Sequence, residues 1–161
     1  NAVSAQVGKE TLSEVPEEDF MAAISKIREA TGDRAVLRAM HFYGDDKRAQ
    51  LEAEALKKGV FQEFMNLVNE SGRSSTLYLQ NITPTGQVED QSLLLTLALA
   101  QSLLEGEGAA RVHGGGFGGT AQAFVPLNKL QAFKDGMEEV LGEGSCHVLT
   151  IRPYGGVRVD V

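Results

Sequence analysis

The 161-residue chain is one domain's worth of sequence, too short for separate substrate and cofactor lobes. Its 42% hydrophobic and 23% charged residues fit a folded globular domain and exclude disordered, collagen-like and disulfide-scaffold classes; the one cysteine can form no internal bridge. A net charge of −7 argues against a nucleic-acid partner, and with no leader pattern and no apolar run of about 18 residues a cytoplasmic protein without membrane contact is expected.

Asn1 and Ala2 open the chain without Met and read as a tag remnant, leaving 3–161 as the domain. Pro16 before Glu17, Glu18 and Asp19 is a helix start, and Phe20, Ile24 and Ile27 recur at helical spacing as far as Gly32. Asp33 caps a second predicted helix that ends at 42–44, and Asp45 caps a third, with Leu51, Ala55 and Leu56, stopped by Gly59. Phe61, Phe64, Met65 and Val68 form the stripe of a fourth, closed by Ser71 and Gly72. These stripes read as core rather than as a cofactor box.

The second part of the chain reads differently, because twelve of the eighteen glycines lie after residue 105. Residues 76–82 predict a strand from their β-branched and aromatic content, and 88–104 a helix with leucines on nearly every side, hence buried. Strands follow at 109–113 and 121–125, a helix at 127–141, a strand at 146–151 and a hairpin partner at 157–161 after Gly155 and Gly156. From residue 76 the order is β-α-β-β-α-β plus a trailing strand. That is an α+β fold, a ferredoxin-like βαββαβ sandwich over 76–161, with residues 16–72 as a helical extension.

Between two of these strands stands His113-Gly-Gly-Gly-Phe-Gly-Gly-Thr120. A plain hairpin turn needs no such run, and the glycines cost conformational entropy. Successive N–H groups without Cβ atoms can cradle phosphate oxygens, which would let an acidic chain bind an anion. The letters match G-x-G-x-x-G at Gly114, Gly116 and Gly119, but a dinucleotide fingerprint must open a helix, and here a strand follows. A Walker loop fails because the Gly8-Lys9 pair is followed by Glu10, and the protein-kinase signature set is missing.

The stretch Ala109-Ala-Arg-Val-His-Gly-Gly-Gly-Phe-Gly-Gly-Thr120 resembles the third conserved motif of the GHMP kinases in its galactokinase form. A second stretch agrees: Phe64-Met-Asn-Leu-Val-Asn-Glu-Ser71, followed by Ser74, Ser75 and a leucine, is similar to the galactokinase segment that ends a helix in Asn-Glu-Ser. The likeness covers residues 33–159. Galactokinases usually carry His where this chain has Gly72, and often Ala and Cys at the positions of Gly115 and Thr120.

The resemblance implies the C-terminal domain of a sugar 1-kinase that phosphorylates galactose or a related sugar with ATP and Mg2+. Its partner is an N-terminal domain of the same polypeptide that carries the catalytic and sugar-binding groups, so the chain alone is expected to be inactive, with no catalytic residue and no metal ligand of its own. Gly114, Gly115, Gly116, Phe117, Gly118 and Gly119 would line the phosphate side of the interdomain cleft, with Ser71, Ser74, Ser75 and His113 as cleft-lining candidates. The residues alone leave a second reading open, a stand-alone ferredoxin-like regulatory domain that senses a small anion.

Other chemistry-bearing residues read as structural. Arg111 on its strand is expected to pair with an acid of the front helices, and His41 to pack at a helix end. Cys146 and His147 alternate on a strand and so cannot share a metal, which leaves Cys146 in the core. No spacing suggests zinc.

Overall fold

Short helices at the start of the chain fold back on one long helix. The computed structural model describes every residue except Phe117, Gly118, Arg152, Tyr154, Val159, Asp160 and Val161. In it α1 (Ala2–Ala5) and a 3-10 turn at Leu12–Glu14 precede α2 (Glu17–Ala22), α3 (Ile24–Thr31) and the 26-residue α4 (Asp33–Lys58). Val3, Val15, Phe20, Ile27, Val36, Ala39 and Tyr43 form one apolar cluster, and the Tyr43 hydroxyl donates to the Val15 carbonyl at 2.9 Å. Packing therefore begins at Val3, ahead of the Pro16 start read from the sequence.

The two helices expected on either side of Gly44 are one. Gly44 lies inside α4, and a Cβ there would stand 3.1 Å from Nη2 of Arg48, so the missing side chain makes room for the Arg48 guanidinium on its own helix. Gly59 does end α4, in the left-handed conformation at φ 71°.

Next comes α5 (Phe61–Ser74), which turns Phe64, Leu67 and Val68 inward. The strand expected over 76–82 is not formed. Instead Ser75–Leu79 is a π-helical turn closed by the Gln80 N–H on the Ser75 carbonyl at 2.8 Å, and Gln80 leaves it at φ 55° and ψ 46°. Leu77 and Tyr78 face outward while Ile82 is buried. α6 (Ser92–Leu104) buries Leu93, Leu97, Ala100 and Leu104, but Leu94 and Leu95 are 41% and 52% exposed, so a helix read as buried all round has an open side.

The sheet, among the described residues, is the antiparallel pair β1 (Ala109–Val112) and β2 (Ala121–Phe124), with Ala109 opposite Phe124 and Val112 opposite Ala121. A 3-10 turn at Leu127–Lys129 leads into α7 (Leu130–Leu141). Alternation on β1 divides the core. Ala109 packs with Ala55, Phe64 and Val68 of α4 and α5, whereas Ala110 packs with Ala100, Leu104, Phe133 and Met137 of α6 and α7. Val112 joins Leu93, Leu97 and Ile82 on that second side. The hairpin is thus a middle layer between two helix pairs.

One edge of β1 pairs with β2; the His113 N–H on the Thr120 carbonyl at 2.9 Å puts the odd-numbered backbone groups on that side. The other edge is taken by a side chain. Asn69 of α5 donates from Nδ2 to the Gly108 carbonyl at 3.2 Å and accepts the Ala110 N–H on Oδ1 at 3.1 Å. Gly72, one turn on, lies so close that a Cβ would sit 3.2 Å from the Ala110 carbonyl and 3.1 Å from the Arg111 Cβ. With that edge occupied, 76–82, for all its strand-like composition, cannot pair with β1.

Residues 145–151 are irregular, with Val148, Leu149 and Ile151 exposed, in place of the expected strand. Of the final expected strand at 157–161, residues 159–161 lie outside the described residues. The fold is α+β; the full βαββαβ order is not formed among the described residues. No described helix is long and apolar enough to cross a membrane.

Candidate functional site

The glycine run forms the tip of the β1–β2 hairpin, as its strand-loop-strand setting predicts. The Gly119 N–H returns to the Gly116 carbonyl at 3.0 Å. His113, Gly114, Gly115 and Gly119 are exposed; Phe117 and Gly118, the remaining loop candidates, lie outside the described residues. Gly116 alone of the described loop glycines is buried. At φ 85° it needs the left-handed freedom of glycine, and a Cβ would collide with the backbone carbonyl oxygen of Asn81 and stand 3.0 Å from its Cγ. At this position the close approach is to the chain's own backbone. At Gly114, Gly115 and Gly119, by contrast, a Cβ would meet no described atom within 4 Å, so the backbone there borders open space that a ligand could enter.

The serines of the second motif point inward. Ser71 and Ser74 are 1% and 5% exposed and each has a protein partner: Ser71 Oγ donates to Asp45 Oδ1 at 2.6 Å, and Ser74 Oγ bonds Nδ1 of His41 at 2.9 Å. Ser75, 1% exposed, has an Oγ without a hydrogen-bond partner among the described residues. Asn69 holds the edge of β1 and Gly72 permits its close approach, so Asn69, Ser71, Gly72 and Ser74 together seat α5 on α4 and β1.

This seating converges on Asp45, which the sequence reading took for a helix cap. Its Oδ1 also accepts from Arg48 Nε at 3.0 Å, while Oδ2 faces His41 Nε2 at 3.5 Å and Arg111 Nη2 at 3.8 Å. The expected pairing of Arg111 with a front-helix acid is therefore present. His41 does not end a helix; it lies within α4, 8% exposed, between Ser74 and Asp45. The available signal was local: His41 and Asp45 are i,i+4, Asp45 and Arg48 i,i+3, and Ser71 and Ser74 i,i+3, so each set shares one helix face.

Burial pushes the His41 imidazole below its ordinary range, Asp45 pulls it back, and Arg48 and Arg111 push the same way as burial. Burial likewise raises the nearby Glu52 carboxyl, against Arg111. A depressed histidine means that the native state binds fewer protons than the unfolded chain. Its contribution is complete above the unfolded value of about 6.5 and is lost as pH falls through the window below it. Glu52, raised, acts in the opposite sense, so the comparison must isolate His41. Urea midpoints measured at about pH 7 and pH 5.5 should fall for the wild type, and fall less for His41→Gln; equal slopes would reject the assignment.

Beside this cluster a groove of about 270 Å³ runs between α5 and α6, lined by Gly72, Thr76, Leu77, Leu94, Ala98 and Arg111 among others. Cys146 is half-buried against the α6 and α7 cluster, and burial raises its thiol. Among the described residues no group of three or more His, Cys, Asp or Glu is placed to hold a metal ion.

No family model matches the sequence. The chain is 33% identical to the galactokinase of Homo sapiens over 117 residues, which is 73% of this chain and 27% of that protein. It is 32% identical to the galactokinase of Staphylococcus saprophyticus over 116 residues, 71% of this chain and 28% of the relative. With the galactokinase of Ligilactobacillus salivarius it shares 30% over 141 residues, 88% of this chain and 34% of the relative. The chain thus spans about a third or less of the length of these curated relatives.

Proposed function

Starting from a chain that is galactokinase-like over most of its length, we propose that it is the C-terminal domain of a sugar 1-kinase. Joined to the N-terminal part of the same polypeptide, it would take part in transfer of the γ-phosphoryl group of ATP to the anomeric hydroxyl of galactose or a related sugar. The observation that carries this reading is the strand-glycine-strand hairpin, within a chain of which 88% aligns with a galactokinase.

The chain's own contribution is positional. The exposed N–H groups of Gly114 and Gly115 suit phosphate oxygens, and Gly119, whose own N–H is held by the Gly116 carbonyl, adds open space without a side chain. His113, Phe117 and Gly118 complete the loop-side candidates, and the buried Ser71 and Ser74 hold α5 through Asp45 and His41. Magnesium would neutralise phosphate charge in such a transfer. Its carboxylate ligands, like the catalytic groups, would come from the rest of the polypeptide, which makes the chain inactive alone.

Two surface features support a covering partner. Leu77 of the π turn and Leu94 of α6 are large apolar side chains left open in the groove, a pairing that suits an interface. Val148, Leu149 and Ile151 are exposed as well, and in the whole protein this segment would extend the sheet toward the ferredoxin-like order. A cytoplasmic setting fits such an enzyme.

The test is an assay of the full-length polypeptide with ATP, magnesium and a panel of hexoses that includes galactose. A sugar 1-phosphate should form with the full-length protein and not with the 161-residue chain. Absence of any sugar phosphate from the full-length protein would overturn the kinase reading, and turnover by the chain alone would overturn its dependence on a partner domain.

A further inference from the structure

The segment between α5 and α6 concentrates irregular geometry directly under the glycine loop. Ser75–Leu79 is a π turn, a form that recurs at functional sites, and Gln80 follows in the left-handed conformation that non-glycine residues rarely adopt. Asn81 comes next and is 4% exposed. Its backbone carbonyl is the group on which Gly116 rests, and its side-chain Oδ1 is buried with no hydrogen-bond partner among the described residues.

Such an orphan acceptor costs about 1 to 3 kcal/mol, and a leucine of similar shape would avoid that cost. Nothing in the packing of Ile82, Leu93, Leu97 and Val112 beside it calls for a carboxamide. The neighbour that does have donors to offer is the loop. The Gly119 and His113 N–H groups are already committed within the hairpin, whereas Gly116 is the loop residue that lies against Asn81.

Resting on the kinase reading, we propose that Asn81 is a positioning residue for the glycine loop. Its backbone carbonyl sets where Gly116 sits, and its carboxamide oxygen takes the backbone N–H of Gly116 in the loop pose that presents the outward amides to phosphate. Asn81 touches neither phosphate nor sugar in this scheme. It acts through the loop backbone, so its loss weakens nucleotide binding and leaves the sugar side alone.

Two variants of the full-length polypeptide test this: Asn81→Leu, which keeps the shape and removes the amide, and Asn81→Asp, which keeps an acceptor and adds charge beneath a phosphate site. Both should raise KM for ATP by about tenfold, the equivalent of one hydrogen bond, with kcat and the sugar KM within about twofold. A second readout does not depend on turnover: with ATP and magnesium bound to the full-length polypeptide, hydrogen exchange at the Gly116 amide should quicken about tenfold in Asn81→Leu. Unchanged KM for ATP and unchanged exchange would overturn the role of Asn81 while leaving the kinase reading intact. A wild-type protein that phosphorylates no sugar would overturn the kinase reading instead, and the exchange rates would still decide for or against Asn81. If Asn81→Leu does not fold, Asn81→Ala, which also removes the acceptor, carries both readouts.

Discussion

Replacing Asp45 with alanine is expected to lower the stability of the chain by about 3 kcal/mol, the lower end of the cost of breaking a buried ion pair. The side chain is one-quarter exposed, which is why the lower end applies. It gathers four groups from three elements: Ser71 of α5, His41 and Arg48 of α4, and Arg111 of β1. Without it Arg48, whose Nη2 is already buried and unpartnered among the described residues, and Arg111 lose the carboxylate they share and are left with the more distant Glu52. Asp45→Asn, which keeps an acceptor for Ser71 but not the charge, should lose about half as much. Urea denaturation at neutral pH measures both. The control is Asp46→Ala, an exposed neighbour bonded only to Gln50 in the described structure; a loss at Asp45 no larger than this control's would refute the assignment.

Gly116→Ala is expected to disrupt the loop, while Gly115→Ala, one residue away, is expected to change stability by no more than about 0.5 kcal/mol. Gly115 has open space around it and no left-handed φ. Gly116 has the left-handed φ, and an added methyl would meet the Asn81 backbone, which cannot swing aside as a flexible side chain could. The conformational cost alone is about 1 to 2 kcal/mol, and the collision adds to it. Because a hairpin tip can move rather than unfold the domain, two measurements are needed: urea stability of the chain, and nucleotide binding by the full-length protein. Gly116→Ala should lower at least one of them clearly, by about 2 kcal/mol or about tenfold in affinity. Indistinguishable behaviour of the two alanine variants would show that the loop does not rest on Asn81.

How far the sequence reached is visible in these same residues. The start of α5, the end of α7 and the β1–β2 hairpin follow from local signals, apolar side chains at helical spacing and glycines at turns, whereas Gly72, expected to close α5, lies inside it because its missing side chain admits β1. The glycine loop was legible for the same reason. Gly44 misled because its effect is on Arg48, four residues along, and not on the backbone it occupies. Residues 76–82 misled because strand propensity needs a free strand to pair with, and Asn69 already holds that edge of β1. The Asp45 cluster was legible only in part, since an acid partner for Arg111 was expected but not which acid. Its partners are separated in sequence, Ser71 by 26 residues and Arg111 by more, and only the folded chain shows that one carboxylate serves them all.

The Asn69 carboxamide on β1 also bears on how the chain behaves in a crowd. An unpaired strand edge is a template on which another chain can add a strand, and a two-stranded hairpin would ordinarily offer one on each side. Here one side is closed by a side chain that mimics a neighbouring strand at two backbone groups. Growth of the sheet, whether by self-association or by a strand donated from elsewhere, is thereby directed to the outer edge of β2.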